Sequence, residues 1–333
     1  MRQVENPPNP YLKYSSEFLG EPPPAKLEVF EEATTRSMIT KSFMSDMGDR
    51  YTVNCYRGCI HACTYCFARR YHEFLGYGAG TDFETKIVAK INAPEVLRRD
   101  LRKTKENISF LEFSFATDPY LPLEANYELT RKCLLVCRDF RMPVGIVTKS
   151  PLVTRDLDIL RDLKCTVFFS IPFPTVQKSK PFELYTPIPE VRFRAMKTLS
   201  DAGIKVGIGI APIILGYNDS DIPTLLEKAK EAGATKAFIN LIHFDSESIE
   251  QYFVQRLHEK LPNQAEKIIN QQKRERGGAL RHKTFADRAG KTEKWQTAVK
   301  LFDLHFRRLG FERFERIEKS EEKPTLPVQQ KLF

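Results

Sequence analysis

Cys59-Ile60-His61-Ala62-Cys63-Thr64-Tyr65-Cys66 is a C-x3-C-x2-C run, and the rest of the chain is read outward from it. Three thiolates on one short loop can hold three irons of a [4Fe–4S] cluster, for which Cys thiolate is the standard ligand. A cluster that serves only structure or electron transfer takes four cysteines. Three leave one iron open to a substrate or cofactor, as a catalytic metal keeps an open position where a structural one is closed. The competing reading is a zinc site, which needs four ligands drawn from Cys/His sets. Cys55 and His61 are available as extra donors, but Cys55 stands ahead of the run and His61 lies inside its first loop. A disulfide is the weakest reading, because adjacent loop cysteines in a chain without a secretory signal make poor partners.

The 333 residues suffice for one large α/β barrel-like domain or two small domains. With 41% hydrophobic residues the chain can bury a full core. No apolar run reaches the length of a membrane span, so no membrane partner is expected. Met1-Arg2-Gln3-Val4-Glu5-Asn6-Pro7-Pro8 carries no apolar signal region, which makes a cytoplasmic location the expectation. Seven cysteines, an odd number, suit a reducing compartment better than a disulfide framework. The net charge of +9 and pI near 9.1 favour polyanionic partners, nucleic acid above all, although basicity alone does not establish one.

Residues 1–50 read as a Pro-rich N-terminal arm, with Pro7, Pro8, Pro10, Pro22, Pro23 and Pro24 favouring an extended strap over a packed domain. Residues 51–245 alternate between two patterns. Strand-like runs are Thr52–Tyr56, Ile108–Phe113, Val144–Thr148, Thr166–Ile171, Val206–Ile210 and Ala237–Leu241. A short helix over Phe67–Gly76 follows the cysteine loop, and longer ones cover Pro94–Thr104, Asn126–Phe140, Leu152–Leu163, Glu190–Ala202 and Ile222–Ala232. Gly203 and Gly233 stand where helix-ending glycines belong. Alternating βα units mean a parallel sheet covered by helices, and six of them fit a partial TIM barrel, (β/α)6, better than a doubly wound sheet. Residues 246–333 leave this rhythm and read as a helical, basic C-terminal extension. Within it Gln272–Lys294 has eight Lys/Arg against three acids, locally +5, and Gly277-Gly278 marks a loop. Such a segment can grip phosphates or lie solvated on the surface. Lys294–Leu309 reads as an amphipathic helix packing through Trp295, Val299, Phe302 and Phe306, and the tail after Glu315 as charged and unpacked.

In a parallel barrel the working residues sit at the C-terminal ends of strands. Those ends are polar here where a packed core would not need them: Ser114-Phe115-Ala116-Thr117-Asp118-Pro119-Tyr120, Thr148-Lys149-Ser150, Ser170-Ile171-Pro172-Phe173 and Ala211-Pro212-Ile213-Ile214. Asp118-Pro119 also reads as a turn starter, and Lys149 as a surface lysine. Ser170, on an otherwise apolar strand, is more pointed, because a buried hydroxyl wants a partner.

With an aromatic just before its third Cys, the C-x3-C-x2-C run resembles the signature of the radical S-adenosylmethionine (SAM) superfamily. Asn54-Cys55-Tyr56-Arg57-Gly58-Cys59, Tyr65-Cys66-Phe67-Ala68-Arg69, Thr117-Asp118-Pro119-Tyr120, Glu124, Leu129-Thr130-Arg131, Thr148-Lys149-Ser150, Arg155-Asp156-Leu157-Asp158 and Ala211-Pro212-Ile213 extend the likeness. Together they resemble the spore photoproduct lyase-like radical SAM family, whose members are often labelled DNA repair photolyases. The resemblance spans about residues 50 to 245. It implies a partial TIM barrel, a [4Fe–4S] cluster on Cys59, Cys63 and Cys66 with SAM chelated at the open iron, and SAM contacts from Tyr65, Thr117, Lys149 and Ser170. The strand ends add Asp118 and Ala211 as cofactor-binding candidates. The implied chemistry is reductive. An external one-electron donor such as flavodoxin or ferredoxin reduces the cluster, SAM is cleaved, and a 5′-deoxyadenosyl radical abstracts hydrogen from substrate.

In the lyase proper, a cysteine just ahead of the strand-two Ser/Thr-Asp quenches the product radical. Phe113-Ser114-Phe115-Ala116 offers no thiol, so Tyr120 and Cys55 are the candidate catalytic donors here. Cys55 reads equally as a core residue, and Cys133 and Cys137, at i and i+4 on a helix, read as packing. The leading expectation is therefore a radical SAM enzyme acting on nucleic acid, in the manner of a DNA photolesion-repair lyase. The missing thiol motivates an alternative, radical chemistry on a peptide or small metabolite. A zinc-stabilised nucleic-acid-binding protein is the third, non-enzymatic reading.

Overall fold

Runs rich in Val, Ile and Phe become strands where both faces can meet apolar neighbours. The computed structural model describes residues 7, 10–11, 26–42, 50–104, 108–282 and 288–312. Most of the Pro-rich arm, part of the basic loop and the charged tail lie outside them. Among the described residues are ten strands: β1 (Glu28–Glu32), β2 (Ile39–Ser42), β3 (Arg50–Val53), β4 (Tyr56–Arg57), β5 (Lys86–Lys90), β6 (Leu111–Phe113), β7 (Val144–Thr148), β8 (Cys165–Ser170), β9 (Lys205–Ile213) and β10 (Lys236–Leu241).

Seven of them form one sheet in the order β10-β9-β8-β7-β6-β3-β2. All pairs from β3 to β10 in this sheet are parallel, and β2 closes its edge antiparallel to β3. Each parallel strand therefore lies beside its successor in this sheet, with a helical crossover between, and all the parallel strands end on the same side. Register places Phe113 opposite Ile146, Thr148 opposite Phe169 and Ser170 opposite Gly209, so the polar strand ends form one row. Two glycines let β9 into this sheet. A Cβ on Gly207 would stand 2.4 Å from the Phe168 ring, and one on Gly209 would stand 2.6 Å from the Phe238 ring.

Two departures from the sequence reading matter for the site. The run Lys86–Lys90, with lysine at both ends, is a strand that pairs parallel with β1 and antiparallel with β4 in a separate three-stranded sheet. The expected single strand over Thr52–Tyr56 is accordingly split into β3 and β4, one for each sheet. The expected helix over Asn126–Phe140 is also two pieces, Glu124–Tyr127 and Leu129–Asp139, broken at Glu128 with φ +54.

The C-terminal extension packs onto the rest. Helices Glu247–Lys260 and Ala265–Glu275 bury Ile249, Phe253, Leu257 and Ile268 in one apolar cluster with Cys63, Tyr65, Phe173 and Phe182. Helix Glu293–Arg308 buries Phe302 and Phe306 and packs Trp295 against the main core, as expected, but it buries Ala298 where the stripe predicts Val299, which is only partly buried. No helix among the described residues is long and apolar enough to cross a membrane.

Candidate functional site

The cysteine loop leaves β4 at Gly58. Its φ of +77, and a Lys86 carbonyl 2.8 Å from where a Cβ would stand, admit only glycine comfortably. Cys59 and Cys63 are buried, Cys66 is partly exposed, and all seven cysteines are free thiols. The loop is clamped from three directions. The Cys59 N–H donates to the Phe83 carbonyl at 2.8 Å, on the small-sheet side. The Thr64 N–H donates to the Phe182 carbonyl at 2.9 Å, and Tyr65 donates its hydroxyl to Glu183. Arg69, fully buried, donates to the Cys63 carbonyl from Nε (3.1 Å) and Nη2 (2.9 Å) and to Ala79 and Gly80 carbonyls from Nη1 (3.0 and 2.9 Å). Its Nη2 also meets Glu84 at 2.6 Å, and Tyr252 of the C-terminal extension covers the guanidinium at 4.1 Å.

Asp118, at the end of the β6 loop, links three elements. Its Oδ1 accepts from the Tyr120 N–H (2.9 Å) and the Thr148 hydroxyl (2.7 Å), and its Oδ2 from the Lys149 N–H (2.7 Å). His61 Nδ1 stands 3.4 Å from the same Oδ2. Thr117 donates its hydroxyl to the Gly58 carbonyl at 2.5 Å, which fastens the β6 loop to the cysteine loop. Lys149 Nζ donates to Ser170 Oγ at 3.0 Å, and Ser170 Oγ donates to the Ala211 carbonyl at 3.4 Å. Lys149 also stands 5.7 Å above the Tyr65 ring. Tyr65, Thr117, Asp118, Lys149, Ser170 and Ala211 thus form a connected rim around the thiols. Asp118 is fixed as a clamp between its own turn, the end of β7 and the cysteine loop.

Two charged residues unremarked in the sequence sit beneath this rim. Glu183 and Arg192 are fully buried and paired at 2.5 Å, with Arg192 also donating to the Ser170 carbonyl at 2.9 Å. Burial opposes the Glu183 charge, but Arg192 and then Lys149 overcome it and hold its carboxyl below the usual range. Burial likewise opposes the Lys149 ammonium, and Cys63 and Glu183 outweigh it. Burial pushes the Cys63 thiol up to about 12 and raises that of Cys59 as well. Thiols in that state are inert until a metal displaces their protons.

The candidate donors lie elsewhere. Cys55 is buried in the core with its Sγ 3.6 Å from Cys133 Sγ. The Tyr120 hydroxyl donates to Asp156 at 3.0 Å, inside a buried network that also joins Glu124, Arg155, Arg131 and Tyr56. The motif residues Glu124, Thr130-Arg131 and Arg155-Asp156 therefore brace the scaffold. Cys55 lies against Cys133, and His61 turns Nδ1 toward Asp118, which leaves its Nε2 as the remaining ring nitrogen. Among the described residues, no three or more His, Cys, Asp or Glu side chains, Cys59, Cys63 and Cys66 included, are grouped closely enough to share one metal ion, whereas a cube takes each thiolate on a different iron. Three unpaired thiols on one buried loop remain, a donor set that suits an iron–sulfur cube with one corner open.

A family model described as the radical SAM superfamily matches residues 53–229. The chain belongs to the radical SAM superfamily. An uncharacterized protein of Methanocaldococcus jannaschii is 32% identical over 226 residues, covering 67% of this chain and 81% of that protein. One from Mycobacterium tuberculosis is also 32% identical over 226 residues, which are 64% of this chain and 66% of that protein's length. Among solved structures, spore photoproduct lyase complexed with dinucleoside spore photoproduct superposes with a TM-score of 0.54 at 18% identity, covering 74% of this chain and 73% of that one. The mixed α/β fold of this radical SAM chain, with its parallel sheet, is similar to that of the lyase.

Proposed function

We propose that this protein is a radical SAM enzyme built on a partial (β/α)6 barrel, holding a [4Fe–4S] cluster through Cys59, Cys63 and Cys66 and acting on nucleic acid. The observation that carries the reading is the donor set, three free thiols on one loop in a chain of the radical SAM superfamily. The sequential order of the parallel strands supports the barrel. When bound, the cluster supplies the electron that cleaves SAM to a 5′-deoxyadenosyl radical, and an external one-electron donor, flavodoxin or ferredoxin in kind, replenishes it. The chain's own residues bind and orient. Lys149 carries the cation for the SAM carboxylate, Ser170 and Thr117 offer hydroxyls, and the Tyr65 ring walls the site. Arg69 holds the loop's backbone at the Cys63 carbonyl, and the Glu183–Arg192 pair holds the Tyr65 hydroxyl and the Ser170 carbonyl.

Nucleic acid is favoured by the +9 charge and, more weakly, by a groove lined by Arg98, Arg99, Arg102, Lys103 and Lys132, in which Glu95 also stands and Arg98 and Arg99 are paired with Asp139 and Asp100. The basic C-terminal segment contributes less than its count suggests, because Arg276 is buried and donates to the Ile242 carbonyl. A relative of similar fold bears the name spore photoproduct lyase, which motivates a photolesion substrate. Cys55 and Tyr120 face their own buried partners, and that favours a second reading, radical chemistry on a peptide or small metabolite. Anaerobic reconstitution with iron, sulfide, SAM and dithionite tests the proposal. We expect brown protein with about four irons per chain and 5′-deoxyadenosine as product. Stoichiometric zinc without iron sinks the enzyme reading. Intact photoproducts in UV-irradiated DNA, with 5′-deoxyadenosine still formed, remove repair alone.

A further inference from the structure

Among the described residues four that are not glycine have positive φ, and three of them, Ala62 (+53), Glu128 (+54) and Arg141 (+51), sit in the ordinary left-handed region. Phe115 does not. Its φ of +91 lies beyond that well, in territory that a bulky side chain enters only under constraint. The constraint is visible on both sides. The Ala116 N–H donates to Asn54 Oδ1 at 2.9 Å, Thr117 is tied to the Gly58 carbonyl at 2.5 Å, and Asp118 is held by Thr148 and Lys149. The turn is thus fixed to the end of β3, the cysteine loop and the end of β7, with Phe115 at its strained point.

A strained aromatic in a core would at least gain packing. Phe115 is only half-buried and belongs to neither apolar cluster, whereas the half-buried Phe67 and Phe193 pack against the main one. Among the described residues its ring pairs with no other aromatic ring. Glycine would remove the strain, and a smaller polar residue would suit a half-exposed loop. A phenyl ring kept at such a position, two residues before the Thr117 that is tied to the cysteine loop and just past the C-terminal end of β6, offers one thing glycine cannot: a flat apolar face.

We propose that Phe115 is a substrate-binding platform, on which a planar heterocycle of the substrate, an unpaired nucleobase, stacks next to the cluster loop. This rests on the nucleic-acid reading above. Base–aromatic stacking requires a splayed base, so single-stranded or locally opened nucleic acid is the form this surface takes.

The test uses the full chain and a fluorescent single-stranded oligodeoxynucleotide, with anisotropy titrations at several salt concentrations beside thermal melts. Phe115→Gly is expected to raise Tm by about 2–4 °C and to weaken oligonucleotide binding by about 5- to 100-fold. Phe115→Leu, apolar but without a π face, is expected to weaken binding similarly, and Phe115→Tyr to restore it. The salt slope stays that of wild type in every variant, because a lost stacking contact releases no counterions. If Phe115→Gly lowers Tm and all variants bind like wild type, the ring is packing and this inference falls while the nucleic-acid reading stands. If wild type itself does not bind the oligonucleotide, that reading falls and takes the platform with it.

Discussion

Tyr120 carries a hydroxyl that its position in the sequence offers as a hydrogen donor, and the fold turns that hydroxyl onto Asp156 at 3.0 Å. Burial and then Asp156 raise its pKa well above the ordinary tyrosine value, so it stays protonated at any working pH. We predict that Tyr120→Phe lowers stability by about 1 kcal/mol and leaves 5′-deoxyadenosine formation unchanged. Denaturant melts and the anaerobic assay read the two effects separately, and a collapse of turnover at wild-type stability would restore Tyr120 as a donor. Lys149 and Ser170 are legible in the sequence because a polar residue ending an apolar strand has no packing reason to be there. Arg69, Glu183 and Arg192 are not. A lone charge in a sequence reads as solvated until its partner is known, and the pairing of Tyr65 with Glu183 spans 118 positions.

At the scale of elements, Glu124 explains why one expected helix is two. Glu128 takes φ +54, and the Glu124 carboxylate turns back to accept from the N–H groups of Thr130 (3.0 Å) and Arg131 (3.1 Å), starting the second helix. A carboxylate at a helix N-terminus meets both the open N–H donors and the positive end of the dipole. The same group binds Tyr56 and Arg155. Removing it leaves the buried Tyr56 hydroxyl and the Thr130 and Arg131 N–H groups without their acceptor, while Arg155 keeps Asp156. Glu124→Ala is therefore expected to cost about 3–5 kcal/mol in a urea melt, and Glu124→Gln, which keeps one acceptor, clearly less. A loss under about 1 kcal/mol would show the network to be surface decoration. Periodicity does not reveal this break, because apolar residues continue in helical register on both sides of it. β7 is legible to the residue, Val144–Thr148, because its apolar run is bounded by Pro143 and by polar Lys149. β5 is not, because its lysines hide a strand whose partners belong to another sheet.

Across the whole molecule, the alternating pattern is legible because each parallel strand must supply an apolar run, while the packing of the C-terminal extension onto the cysteine loop is not, since it joins residues far apart in the chain. That packing brings His282 against His243, His72 is buried apart from it, and the titration of the three shapes how the fold responds to acid. Burial lowers His72, packed between Tyr77 and Phe83, to about 4, and burial followed by the Arg288 charge lowers His243 to about 4 and displaces His282 downward too. Each folded-state value lies below the unfolded value of 6.5, so the unfolded chain takes up protons first as pH falls. Stability from these groups is complete above about pH 6.5 and drains away between there and pH 4. For His72, 1% exposed, the drop amounts to about 3 kcal/mol. Asp158, lowered from 3.8 to about 2 chiefly by its hydrogen bond to Arg131, acts in a separate window, losing its contribution only as pH falls from 3.8 toward 2. Urea midpoints measured from pH 7.5 to 4.5 should therefore fall steadily below about pH 6.5, and His72→Phe, which keeps an aromatic ring without a titrating nitrogen, should flatten that fall. A variant whose midpoints track those of wild type at every pH would mean that His72 takes up its proton equally in the folded and unfolded chain.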